Sequence, residues 1–134
     1  MSAVLVDSNV LLDVVGGHSE WTDWSSNALR RTAERMPLVI NPVIYAEVSI
    51  RYSAIEELEK ALPADTFGRE PIPYSAAFLA GKVYLDYRRR GGTRTSPLPD
   101  FFVGAHAAVA GYRLLTRDPT RYRSYFPALP LITP

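Results

Sequence analysis

Short apolar runs that stop abruptly at a polar or acidic residue, each followed by a helical stretch, constrain this chain more than any other feature. Ala3-Val4-Leu5-Val6 ends in Asp7, and Leu38-Val39-Ile40 ends in Asn41. Runs this short, without polar alternation, suit strands buried on both faces of a parallel sheet. Further strands are predicted over 67–72, 112–116 and 129–132. Between the strands, Val10, Leu11, Val14 and Val15 recur at helical spacing until Gly16-Gly17 stops them. A second helix is predicted over 21–35, with Trp21, Trp24, Ala28 and Leu29 facing inward. Asn41-Pro42 opens a third, a side-chain cap followed by a first-turn proline, running to about Tyr52. Others are predicted over 54–62, 74–90 and 100–110, then a helical turn over 119–122. The longest carries Ala77, Phe78, Gly81, Tyr84 and Leu85 as one stripe.

Strands alternating with helices predict an α/β fold, a three-layer α/β/α sandwich around a central, mainly parallel sheet. The 134 residues are enough for one domain spanning 1–134. In such sheets ligands bind outside the carboxyl ends of the strands, so acids placed there are the first candidates for chemistry.

Four acids meet that description or approach it. Asp7 stands where the first strand stops, and Asp118 where the strand through Leu114-Leu115-Thr116 stops. Either could simply cap the helix that follows; a capping acid and a ligand need the same strand-to-helix corner. Glu47 lies beside the apolar stripe of its helix, where a carboxylate is costly unless it is paired or metal-bound. The alternative is a surface ion pair with Arg51 one turn on. Asp100 opens a helix of small and apolar residues, where it suits the helix dipole or a metal.

Converging carboxylates repel and raise one another's pKa unless a cation joins them. The chain has no cysteine and only two histidines, His18 and His106, which excludes disulfides, thiolate zinc sites and cysteine nucleophiles. Oxygen donors without thiolates favour Mg²⁺ or Mn²⁺ over Zn²⁺. Such centres activate water and steady in-line phosphoryl displacement, which fits nucleic-acid hydrolysis. Charge is unevenly spread. Residues 1–87 hold 7 Lys+Arg against 12 Asp+Glu, whereas 88–123 hold 8 arginines against Asp100 and Asp118. That asymmetry suggests a side facing a polyanion, or arginines that merely solvate a helix end and two loops. The first residues make a poor signal peptide, and no apolar stretch reaches the roughly 20 residues of a membrane helix. A cytoplasmic protein without membrane contact is expected.

The order and context of the acids resemble the PIN-domain family, and within it the VapC-type toxins of type II toxin–antitoxin systems. The matching pieces are Val4-Leu5-Val6-Asp7-Ser8-Asn9-Val10-Leu11-Leu12, Asn41-Pro42-Val43-Ile44-Tyr45-Ala46-Glu47-Val48, Pro99-Asp100-Phe101-Phe102-Val103-Gly104-Ala105-His106-Ala107 and Leu114-Leu115-Thr116-Arg117-Asp118-Pro119-Thr120-Arg121-Tyr122. Gly104 stands where alanine or a larger residue is common. The resemblance implies a PIN-like sheet between helices and Mg²⁺- or Mn²⁺-dependent cleavage of RNA. Asp7, Glu47, Asp100 and Asp118 match the family's four acids, as catalytic and metal-holding residues. Asn9 and Thr116 match the polar positions that support them by hydrogen bonding. It also implies homodimerisation and a cognate antitoxin whose C-terminal segment covers the acidic site. On this reading Arg88, Arg89, Arg90, Arg94, Arg117 and Arg121 are candidates for RNA phosphate contacts, although Arg117 or Arg121 could bridge to internal acids instead.

His106, well round its helix from Asp100, reads as a packed core or interface histidine, and Asp13, Asp23 and Asp86 as solvated or salt-bridged. Other readings compete. A haloacid-dehalogenase-like phosphatase would use Asp7 as nucleophile, but it wants an acid where Asn9 stands. A housekeeping RNA-processing nuclease and a non-catalytic PIN-like binding module are the remaining alternatives.

Overall fold

The computed structural model describes residues 3–134 of the chain. Five strands form one sheet: β1 (Val4–Val6), β2 (Leu38–Ile40), β3 (Phe67–Arg69), β4 (Arg113–Leu115) and β5 (Leu131–Ile132). Their order is β3-β2-β1-β4-β5, and every pairing is parallel. Seven helices flank it: α1 (Ser8–Gly16), α2 (Thr22–Ala33), α3 (Pro42–Ser49), α4 (Ile55–Ala61), α5 (Tyr74–Arg89), α6 (Pro99–Ala110) and α7 (Thr120–Tyr125). The expected three-layer α/β/α architecture is what forms.

Val4, Leu5 and Val6 are wholly buried, as are Leu114 and Leu115 beside them. Each side chain taken fully out of water contributes about 1.5–3 kcal/mol, so the two central strands anchor the core. From β1 the chain builds outward through β2 to β3, then returns to the other side of β1 as β4. The strand order therefore reverses at the β1–β4 pair, and a crevice opens beyond their carboxyl ends. Asp7 follows β1 and Thr116 follows β4, both into that crevice.

Local expectations hold with several adjustments: β5 covers only Leu131–Ile132 of the expected 129–132, and the turn expected over 119–122 is a helix that runs on to Tyr125. β3 ends at Arg69 instead of continuing to Ile72. The Glu70 amide still reaches the Ile40 carbonyl at 3.0 Å, but Pro71 and Pro73 have no N–H to extend the ladder. α3 stops at Ser49, short of Tyr52. The largest difference is the face of α5. Ala76, Ala80 and Val83 are buried, whereas Phe78 is 69% and Leu85 43% exposed. Tyr84 of the predicted stripe still packs on the core, and Tyr87 meets Phe101 of α6 edge to face with ring centres 5.6 Å apart.

Candidate active site

Asp7 sits at the β1–α1 corner and is buried. Its Oδ1 accepts the Ser8 amide at 2.9 Å, so it does cap α1. Its Oδ2 accepts the Thr116 hydroxyl at 3.0 Å and the Tyr122 hydroxyl at 2.9 Å. Burial pushes the carboxyl from 3.8 to about 6, and the facing charge of Asp100 adds to the rise. The bonds from Tyr122, Thr116 and Ser8 pull the other way, since each donates to the charged form.

Asp100 lies in the first turn of α6, which Pro99 opens without a side-chain cap. The Tyr122 hydroxyl that serves Asp7 stands 3.4 Å from Asp100 Oδ1. Arg121 Nη1 reaches Asp100 Oδ2 at 3.2 Å. Burial, then the charges of Asp7 and Asp100, hold the Tyr122 phenol well above its ordinary pKa, so it remains a donor. Glu47 arrives from α3 and accepts the Ser8 hydroxyl at 2.8 Å. Burial raises its pKa; the Ser8 bond lowers it, and Asp100 adds a smaller rise. The surface pair with Arg51 does not form: among the described residues Arg51 makes no ion pair, and its guanidinium lies beside Gly16.

Asp118 does not cap α7, whose first turn has no side-chain cap. Instead its backbone amide donates to the Thr116 hydroxyl at 3.2 Å, and it lines a cleft of about 300 Å³ with Asp100, Arg121 and Ser124. Asn9 Nδ2 donates to Thr116 Oγ1 at 3.0 Å, with Asp7 Oδ2 at 3.4 Å. Its Oδ1 accepts the Arg117 amide at 3.2 Å. Thr116 Oγ1 thus donates once and accepts twice, and its two lone pairs are spoken for.

Among the described residues, no three His, Cys, Asp or Glu side chains converge into a ready-made metal cage. The acids are linked by hydroxyls: Tyr122 between Asp7 and Asp100, and Ser8 toward Glu47. The donor set nevertheless fits a hard divalent cation. It is entirely oxygen, and Asp7 and Glu47 carry raised pKa values that a nearby positive charge would relieve.

The arginines have diverse partners. Arg117 Nε binds Asp13 at 2.7 Å, while its guanidinium lies 5.8 Å from the Trp21 ring centre. Asp13 is buried and also accepts the Ser25 hydroxyl at 2.7 Å, so it is an internal ion pair and not a solvated acid. Arg90 pairs with Asp86 at 2.8 Å and lies over Tyr125. Arg88 donates to the Arg94 carbonyl at 2.9 Å. Arg89 and Arg94 have no side-chain partner among the described residues. His106 is buried; Asn41 Nδ2 lies 3.0 Å from its Nδ1 and Glu70 3.7 Å from its Nε2. Burial lowers its pKa against the pull of Glu70, which keeps it a neutral core histidine.

Two residues here escape sequence reasoning. Tyr122 and Ser8 carry no signal of their own beyond adjacency to the acid-bearing turns; only the tertiary placement of α7 beside α6 and the Asp7 corner puts a phenol between two carboxylates.

An α/β domain with Asp7 and Asp100 facing one hydroxyl where the strand order reverses is thus defined by fold and site together. The PIN domain family model matches residues 4–125, and the chain belongs to that family. PIN domains are generally nucleases that use divalent metals. The fold is similar to VapBC2 of Rickettsia felis bound to a promoter DNA fragment, with TM-score 0.74 and 16% identity over 98% of both chains. VapBC-1 of nontypeable Haemophilus influenzae gives TM-score 0.73 and 14% identity over 98% of this chain and 97% of that one. A toxin–antitoxin complex from Klebsiella pneumoniae gives 0.70 and 20%, with the same coverage. No curated protein matches the chain.

Proposed function

We propose that this PIN domain, the whole of 1–134, is a Mg²⁺- or Mn²⁺-dependent ribonuclease and the cytoplasmic toxin of a toxin–antitoxin pair. The observation that carries the nuclease reading is the opposition of Asp7 and Asp100 across the Tyr122 hydroxyl, at distances of 2.9 and 3.4 Å. Asp7, Asp100 and Asp118 would hold the metal, with Glu47 as a further ligand or through water. A divalent ion bound there supplies a water of lowered pKa and neutralises charge on the phosphate. The Tyr122 phenol, kept protonated, orients Asp7 and Asp100. Asn9 and Thr116 fix the Asp7 and Asp118 corners, and Ser8 aims Glu47. The acidic cleft opens beside Arg121, which offers a cation to an incoming phosphodiester.

The nuclease test is cleavage of structured RNA by the full chain with Mn²⁺ and with EDTA, beside Asp7→Asn. Cleavage that needs Mn²⁺ and falls at least 100-fold in Asp7→Asn supports the reading. No metal-dependent difference on any RNA favours a binding module. The toxin role is supported by the similarity to toxin–antitoxin complexes along nearly the whole chain. Growth arrest on expression, relieved by a neighbouring small gene, separates a toxin from a housekeeping nuclease. A homodimer is supported by the exposed stripe Tyr74, Phe78 and Leu85 on α5, which leaves apolar surface in water.

A further inference from the structure

Away from the carboxylates, a cavity of about 440 Å³ lies between α2 and the β4–β5 side of the sheet. Its wall includes Trp24 and Arg31 from α2, Arg35 from the turn just after it, Arg113 from β4, and Thr133 just beyond β5. No carboxylate lines it. Among the described residues none of the three arginine side chains has an ion pair or hydrogen bond, unlike Arg90, Arg117 and Arg121. The three arginines are exposed at the rim of one hollow whose lining holds no acid, and such a one-signed set of charges attracts an anion.

A second observation points the same way. Thr133 Oγ1 is buried and has no hydrogen-bond partner, the one such side-chain atom among the described residues. A buried hydroxyl left unpaired is costly, and it is a ready donor to a phosphate oxygen. Trp24 adds a half-buried indole to the same wall, a face on which a nucleobase can stack.

The position of α2 relates the cavity to the acidic crevice. Trp24, Ala28 and Arg31 share one stripe of α2, with Trp21 at its N-cap position and Arg35 in the turn just past its end. At its start Trp21 stands against Arg117, the residue before Asp118. At its end are the arginines of the cavity. The twelve residues of α2 make a rod of about 18 Å, the reach of a few nucleotides.

We propose that this cavity is a second RNA-binding site: it holds the phosphates of a single-stranded flank on Arg31, Arg35, Arg113 and Thr133, with a base stacked on Trp24. The proposal rests on the reading of the chain as an RNA nuclease. Trp24 favours RNA over an acidic peptide, because carboxylates alone make no use of an aromatic face.

The test is a binding titration in EDTA, where cleavage is not measured. In Trp21→Phe protein, Trp24 is the sole tryptophan, and its emission reports the site. The probe is a 5′-phosphorylated single-stranded RNA ten-mer. Saturable quenching is expected, with the dissociation constant raised at least tenfold in Arg31→Ala/Arg35→Ala and several-fold in Thr133→Val. Arg30→Ala, on the same helix but bonded to Asn27, serves as the control and leaves the constant unchanged. Removing two phosphate contacts lowers the salt dependence of log K by a slope of about 1.4. Absence of quenching, equal affinity in the double variant, or equal competition by a polyaspartate peptide overturns the proposal. Asp7→Asn separates the two readings: it abolishes Mn²⁺-dependent cleavage if the nuclease reading holds, whereas quenching by RNA persists if this site exists.

Discussion

The Asp7 carboxyl shows how one buried group ties the site to stability. Its pKa rises from 3.8 unfolded to about 6 folded, so the folded form holds the proton more tightly. The resulting stabilisation is complete below pH 3.8 and is lost as pH climbs through about 6. The whole shift is equivalent to about 3 kcal/mol. Glu47 shifts in the same direction, whereas neutral His106 acts oppositely, losing stability as pH falls below its ordinary 6.5. The Asp7 contribution is therefore read as a difference. In EDTA, the melting temperature of wild type relative to Asp7→Asn is expected to fall between pH 4 and 7, and a flat difference would refute the buried, raised carboxyl. Thr116→Val leaves the Asn9 amide and the Asp118 backbone amide without their acceptor. An unfolding cost of about 1–3 kcal/mol is expected from urea titration, with Thr116→Ser recovering most of it. Asp7 and Asp118 could be singled out in the sequence because each sits at a strand-to-helix corner, whereas Asn9 and Thr116 followed only from the resemblance to PIN domains. The bond from Thr116 to Asp7 could not, since it spans 109 residues.

Helices here are positioned by a few tight contacts. A Cβ built on Gly104 would lie 2.4 Å from Phe126 Cε2, so α6 needs glycine there to let the aromatic ring against its backbone. Gly104→Ala is expected to cost about 1–3 kcal/mol by overpacking, read as a lower urea midpoint with unchanged slope. Asn41 has two duties: its Oδ1 caps α3 through the Ile44 amide at 3.0 Å, and its Nδ2 faces His106 on α6 at 3.0 Å. Asn41→Ala is expected to cost about 1–2 kcal/mol, above a cap of the ordinary kind because His106 loses its neighbour as well. The cap was readable from Asn41-Pro42; the link to α6 was not. On α5 hydrophobic spacing favoured the stripe of Ala77, Phe78, Gly81, Tyr84 and Leu85, whereas packing buries Ala76, Ala80 and Val83.

The molecule as a whole leaves the apolar face of α5 in water. Phe78→Glu is expected to convert a dimer to a monomer in sedimentation equilibrium while leaving the melting curve nearly unchanged, since the side chain is exposed in the chain alone. A monomeric wild type at micromolar concentration would contradict the dimer. No helix among the described residues is long and apolar enough to cross a membrane. Mn²⁺ at a hundredfold excess over its dissociation constant is expected to stabilise the wild-type chain by about 2.7 kcal/mol through mass action. Asp7→Asn should lose most of that thermal shift.

Periodicity, capping and the abrupt ends of apolar runs are local properties, and by themselves they determined the existence and order of the five strands and seven helices and the corners that carry Asp7 and Asp118. Contacts between distant residues depend on strand order, which those local patterns do not encode. Only the β3-β2-β1-β4-β5 arrangement decided that Tyr122 reaches both Asp7 and Asp100, that Ser8 meets Glu47, and that Arg117 turns to Asp13. The physical reason is burial: a carboxylate removed from water takes the donors that folding places beside it.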